Sequence, residues 1–322
     1  MSAYGVLSCL FANLQEKPLQ FKSRQYFSPA TSQTDTETIE MVLYQPANKS
    51  VRSLLDLTGK VSAITGGTRG IGYAAAQGLA EAGSDIALIY CSSSQKSVDE
   101  AATKLAQETG VKVRTYQADV RNKAQITQVI EKIAEDLGRL DIVVPNSGVA
   151  IYGAGEDFSE ATYRDTLGVN LDGAFFTAQA AAHVFKRLVE AKTIHQGSIV
   201  FTASVSSGIV NYPQKQAPYN ASKAGLVQLA KCLAVEWVDF ARVNCVSPGY
   251  IETELLDTQP QEWKDKWFAM IPSERMAQTY EMKGTYVYLA SDASSYTTGA
   301  EIIAGGAVSR TQFVFSTLGR IC

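Results

Sequence analysis

The chain has 322 residues, 46% of them hydrophobic and 19% charged, enough for one large globular domain or two smaller ones with a sizeable core. A formal net charge of −3 without a long basic run excludes nucleic acid and anionic membrane surfaces as expected partners, and no stretch of about 18 apolar residues exists to span a bilayer. The five cysteines show no C-x-x-C or disulfide-like spacing and read as reduced thiols of an intracellular protein; with only His183 and His195, neither beside an acidic cluster, no metal site is expected.

Residues 1–56 do not join the later pattern and read as an N-terminal extension, expected to be disordered in part. Its opening holds Lys17, Lys22 and Arg24 against Glu16 alone, which loosely suits a mitochondrial presequence. A cytosolic tail without an address is the preferred reading, so a cytoplasmic location is expected, with a mitochondrial one as the alternative. From Leu57 onward, strand-like apolar runs are expected at Val61–Thr65, Asp85–Tyr90, Lys112–Gln117, Ile142–Pro145, Ser198–Thr202, Arg242–Ser247 and Glu301–Ala304. Helical stretches fall between them at Ile71–Ala82, Val98–Thr109, Lys123–Leu137, Ala161–Glu190 and Tyr219–Phe240. Such alternation predicts one α/β domain over 57–322, a doubly wound Rossmann-type parallel sheet with helices on both faces. Ligands then bind beyond the carboxyl ends of the strands.

The first strand runs into a glycine-rich turn, Gly66-Gly67-Thr68-Arg69-Gly70-Ile71-Gly72, and then an alanine-rich helix. Glycines let the backbone approach phosphates, and the helix amino terminus offers free N–H groups and a partial positive charge. About 20 residues on, an Asp or Glu would hold a ribose 2′-OH. Here the second strand ends Tyr90-Cys91-Ser92-Ser93-Ser94, with no carboxylate. Hydroxyls of Ser92 and Ser93 and the guanidinium of Arg69 suit a 2′-phosphate instead, so NADP(H) is expected over NAD(H). Farther along, Tyr219 and Lys223 stand four residues apart in a helical stretch, on one face. A neighbouring ammonium would favour the phenolate and let the phenol pass a proton to or from a carbonyl oxygen.

Five motifs in this order resemble the short-chain dehydrogenase/reductase family from about Leu57 to Gly306: Thr65 to Gly72, Asn146-Ser147-Gly148, Asn170 in Gly168-Val169-Asn170, Tyr219 with Lys223, and Pro248-Gly249. The wording of Thr202-Ala203-Ser204-Val205-Ser206 and Ser247-Pro248-Gly249-Tyr250-Ile251 is similar to the fungal branch of NADP-dependent mannitol dehydrogenases and sorbose or xylulose reductases. The resemblance implies that Asp119 and Val120 flank the adenine, that Asn146 and Gly148 line the ribose region, and that Ile251 and Thr253 after Pro248-Gly249 meet the nicotinamide amide. It further implies that Tyr219 donates the proton, that Lys223 tunes Tyr219 and holds the nicotinamide ribose, and that Asn170 holds a relay water. A serine polarises the carbonyl; Ser204 is chosen over Ser206, which lies at a common family distance from the tyrosine.

Residues 252–275 are expected to form a lid, their Trp263, Trp267 and Met270 at helical spacing serving the lid or a subunit contact rather than binding substrate directly, and Asn211, Tyr212 and Gln216 could read sugar hydroxyls. The expected activity is reduction of a small-molecule ketone, foremost a ketose to its polyol. A tailoring ketoreductase of fungal secondary metabolism is the alternative, and a catalytically silent NADP-binding sensor a third reading. A homo-oligomer, tetramer or dimer, is implied. The chain departs from its relatives at Ala304-Gly305-Gly306 and in the sixteen residues that follow.

Overall fold

The computed structural model describes residues 43–309, so the readings of the presequence, of the extension up to residue 42 and of the tail to Cys322 lie outside the described residues. Residues 43–56, assigned by sequence to the extension, stand with the domain instead. Tyr44 stacks on the His195 ring at 4.5 Å, and Ser50 caps the short helix α1 (Val51–Leu54) by accepting the Ser53 N–H.

Seven parallel strands form one sheet: β1 (Val61–Thr65), β2 (Asp85–Tyr90), β3 (Val113–Gln117), β4 (Ile142–Val144), β5 (Gly197–Thr202), β6 (Ala241–Pro248) and β7 (Glu301–Ala304), in the order β3-β2-β1-β4-β5-β6-β7. Alternate residues leave opposite faces of a strand, so each strand feeds two cores. Ile64, Leu88, Val144 and Val200 pack with residues of α2 (Gly70–Glu81), α3 (Gln95–Thr109) and a late helix at Lys283–Ala290. Ala63, Ala87, Val143 and Ile199 pack against α4 (Lys123–Leu137) and two long helices, Gly173–Glu190 and Ala217–Glu236. The winding reverses between β1 and β4, which opens a crevice at their carboxyl ends.

The stretch expected as one helix over Ala161–Glu190 is broken. It comprises α5 (Glu160–Leu167), a five-residue π turn at Gly168–Asp172, and α6 (Gly173–Glu190). Other ends move for local reasons. α3 begins at Gln95, three residues early, because Ser94 caps it by accepting the Ser97 N–H. β4 stops at Val144 because Pro145 has no N–H to extend the ladder, although its carbonyl still accepts from Thr202. Pro218 is the second residue of α7 (Ala217–Glu236), where no intrahelical N–H is required of it. The segment expected as a lid contains α8 (Glu254–Asp257) and α9 (Gln261–Met270), and α10 (Lys283–Ala290) follows.

Candidate active site

The crevice is assembled around the glycine turn. Gly66 and Gly70 hold φ of +62° and +55°, a conformation costly for other residues, and a Cβ on Gly72 would lie 2.3 Å from the Gly66 carbonyl oxygen. Arg69, the N-cap of α2, makes no side-chain cap bond, so among the described residues no side chain caps the first-turn N–H groups of Gly70, Ile71 and Gly72. An uncapped helix start fronted by glycines fits a pyrophosphate. Asn146 braces the turn from β4: its Nδ2 donates to the Thr65 carbonyl at 3.0 Å and reaches that of Gly66 at 3.4 Å. Thr65 Oγ1 accepts the N–H of both Asn146 (2.9 Å) and Ser147 (3.0 Å), tying the ends of β1 and β4 together.

Across the crevice the four residues expected to do chemistry converge. Lys223 is buried on α7 and donates from Nζ to the Thr202 carbonyl at 2.8 Å. Its Nζ stands 5.7 Å from the centre of the Tyr219 ring. Burial lowers the Lys223 pKa to about 8, with the nearby Cys245 thiol opposing. Burial also pushes the Tyr219 phenol up, opposed by a hydrogen bond with the Ser204 side chain. Desolvation governs both groups in the cofactor-free protein, because such surroundings disfavour charge on either one, and the only group that lowers the phenol here is Ser204.

Ser204 lies two residues past β5 in extended conformation and accepts the Ser206 N–H at 3.1 Å, while its own hydroxyl donates to the Ser206 oxygen at 3.1 Å. Ser206 is thus one hydrogen bond further from Tyr219 than Ser204. Asn170 lies in the π turn, fully buried. Its Oδ1 accepts the Val149 N–H at 2.8 Å, and its Nδ2 donates to the Val149 carbonyl and to Ser222 Oγ, at 2.9 and 3.1 Å. A Cβ on Gly148 would stand 3.4 Å from Asn170 Oδ1 and 3.6 Å from Lys223 Nζ, so Asn170 and Lys223 flank one small space.

The remaining cofactor candidates divide. Arg69 is exposed and 3.5 Å from Glu254 at the start of α8, and Ser93 Oγ lies 3.4 Å from Thr68 Oγ1; Ser92 is exposed. Asp119 is held by Arg121, whose hydrogen bonds lower its pKa, and Val120 is buried in the core. Gly249 packs against β7, where a Cβ would meet Gly305 Cα at 2.7 Å, and its N–H donates to the Ala304 carbonyl. The side chain of Ile251 is buried in the core rather than turned to the crevice, so only its backbone, bridged to Ala277, could serve a cofactor. Thr253 abuts the turn, its Cγ2 3.7 Å from a Cβ position on Gly70.

Trp267 of α9 is fully buried, stacked on Tyr250 at 4.9 Å. Tyr212 is exposed, with the Lys266 ammonium 5.7 Å from its ring centre. Asn211 and Gln216 bond to each other rather than facing outward. Sequence reasoning missed Tyr152, Gln214 and Tyr250. Tyr152 meets Trp263 edge-on at 5.4 Å, and burial, with the phenols of Tyr219 and Tyr250 adding, pushes it to about 12. The position of Tyr250 directly after Pro248-Gly249 could have signalled it; Gln214 had no such signal.

A glycine-turn nucleotide crevice facing a Ser-Tyr-Lys-Asn cluster, all but the tyrosine buried, defines an oxidoreductase of carbonyl and alcohol groups. The family model described as enoyl-(acyl carrier protein) reductase matches residues 66–308. The chain belongs to the short-chain dehydrogenase/reductase family. It is 43% identical over 256 residues to the sorbose reductase of Schizosaccharomyces pombe, covering 79% of this chain and 97% of that one. It is 41% identical over 268 residues to the NADP-dependent mannitol dehydrogenase of Alternaria alternata, covering 83% and 98%. Among solved structures, the NADPH-dependent 3-quinuclidinone reductase of Rhodotorula rubra superposes with a TM-score of 0.76 at 37% identity, covering 88% of this chain and 99% of that one.

Proposed function

We propose that the protein is an NADP(H)-dependent reductase of ketoses, interconverting a ketose such as fructose or sorbose with its polyol. The observation that carries the reading is the Ser204–Tyr219–Lys223–Asn170 cluster at the mouth of an uncapped, glycine-fronted helix. The names of the sorbose and mannitol relatives support the substrate class. A bound nicotinamide supplies the hydride. The first-turn amides of α2 would hold the pyrophosphate, Arg69, Ser92 and Ser93 the 2′-phosphate, and the backbone around Ile251 and Thr253 the nicotinamide end. The absence of any carboxylate from Cys91 to Val98 supports NADP(H) over NAD(H).

Ser204 hydrogen-bonds the substrate carbonyl oxygen and holds it against the Tyr219 phenol, which delivers the proton as negative charge develops there. Lys223, near neutrality, restores that proton, and Asn170 fixes the Val149 backbone at the inner wall while its remaining Oδ1 lone pair receives a relay water. The proposed protein is a cytoplasmic homo-oligomer, dimer or tetramer, whose size an elution profile coupled to light scattering would give. Steady-state NADPH consumption with D-fructose, L-sorbose and L-xylulose, set against polyketide-like ketones, tests the substrate. Turnover of the ketones with ketoses inert would instead make it a tailoring reductase, and tight NADPH binding with neither turned over would make it a sensor.

A further inference from the structure

The orientation of a half-buried amide network decides which groups one phenol proton cannot reach. Asn220 Nδ2 donates to the Ile209 carbonyl at 2.8 Å, and a carbonyl can only accept, so the Asn220 Oδ1 faces the other way and receives Gln216 Nε2 at 2.9 Å. Gln216 Nε2 also donates to Asn211 Oδ1 at 3.1 Å, as does Asn220 Nδ2 at the same distance, which turns the Asn211 Nδ2 toward the Tyr250 oxygen at 3.3 Å. On the other side, Trp267 Nε1, a donor only, fixes the Gln214 Oε1 at 2.8 Å and leaves Gln214 Nε2 to donate to the same Tyr250 oxygen at 3.3 Å.

Both lone pairs of that oxygen are therefore filled, and neither amide can accept from it. The Tyr250 O–H donates to no group among the described residues, although the residue is only 8% exposed. The same chain of bonds runs on through Gln216 to Ser206 at 3.4 Å, and from Ser206 to Ser204. Tyr250 thus stands at the far end of the network that begins at the catalytic serine, with Tyr152 close to both Tyr219 and Tyr250.

We propose that Tyr250 is a specificity-determining residue, its unclaimed O–H donating to a hydroxyl of a polyhydroxylated substrate beyond the carbonyl that Ser204 and Tyr219 engage. This rests on the ketose reading above. The amide network is a mould that keeps the donor aimed, and the stacked Trp267 prevents the ring from turning. A ketone without hydroxyls has nothing to receive this proton.

The test compares the wild type and Tyr250→Phe on D-fructose, on its singly deoxygenated analogues, and on cyclohexanone. Removing one neutral hydrogen bond should lower kcat/KM for fructose about five- to tenfold, mainly through KM, and leave cyclohexanone within about twofold. One deoxy analogue should lose the same factor with the wild type and lose nothing further with Tyr250→Phe, a readout that a general disturbance of the fold would not produce. Equal losses for every analogue in both enzymes, with fructose well used by the wild type, would overturn this assignment alone. A wild type inert toward every ketose would overturn the substrate reading and this assignment with it.

Discussion

Replacing Lys223 with methionine should abolish reduction and yet make the cofactor-free protein more stable at neutral pH. Burial lowers the Lys223 pKa from 10.5 to about 8. A tenfold change in proton affinity is about 1.4 kcal/mol, so carrying this ammonium at pH 7 holds the folded state back by about 3 kcal/mol. The unfolded chain keeps its proton up to about pH 10.5, whereas the folded chain releases it above about pH 8; the burden is complete below pH 8 and fades between those values. Methionine removes the burden and fills much the same space, while the lost bond to the Thr202 carbonyl returns about 1 kcal/mol. The net gain of about 2 kcal/mol corresponds to a melting temperature about 5 °C higher. Thermal unfolding of both proteins without cofactor at pH 7 and pH 9.5 reads it: the variant should lead at pH 7 and the gap should narrow at pH 9.5. A variant that melts below the wild type at pH 7, or a gap that does not change with pH, would refute the reasoning.

Ser204→Ala should lower kcat by about 10²-fold or more, whereas Ser206→Ala should change it only severalfold; near-normal turnover in Ser204→Ala would transfer the role to Ser206. Catalytic efficiency should favour NADPH over NADH, and Arg69→Ala should erode that preference about tenfold by loss of a charged hydrogen bond; equal use of both cofactors by the wild type would contradict the assignment. Gly72→Ala should destabilise by about 2–3 kcal/mol and abolish cofactor binding by calorimetry, since the added methyl drives into Gly66 and Asn146. Gly284→Ala, inside α10 with nothing within 4 Å of the added carbon, should instead be neutral or stabilising by about 0.5–1 kcal/mol.

The sheet and most helices were legible because apolar runs buried on both faces and amphipathic stretches carry strong periodicities, and β1, β2, α4 and β7 occupy the residues expected of them. The π turn was invisible: Val169 and Leu171 continue an apolar pattern, and nothing local announces one extra residue. At the site, Tyr219, Lys223 and the glycine turn were readable from spacing, and Asn170 from its resemblance to a family motif. The true neighbours of Asn211 and Gln216 were not, since amides satisfied by one another look in sequence like amides free for a ligand. Tyr152 joins the site across 67 residues of chain from Tyr219, a meeting that only the parallel crossover produces. The balance between burial and charge at the Tyr219–Lys223 pair also belongs to the fold, because spacing says nothing about how much water remains.

The shared hydroxyl of Thr65 has a consequence for the crevice itself. The ladder between β1 and β4 ends at Ile64 and Val144, and beyond it the strands would be free to splay as the sheet twists. One oxygen accepting from the Asn146 and Ser147 backbone holds that splay together with the Asn146 amide, so the gap in which a dinucleotide must lie is gauged by two side chains, one from each strand end. A valine at Thr65 would keep the shape of β1 and lose its half of the gauge, leaving two backbone amides to find water and the Asn146 amide alone to set the separation of the two halves of the sheet.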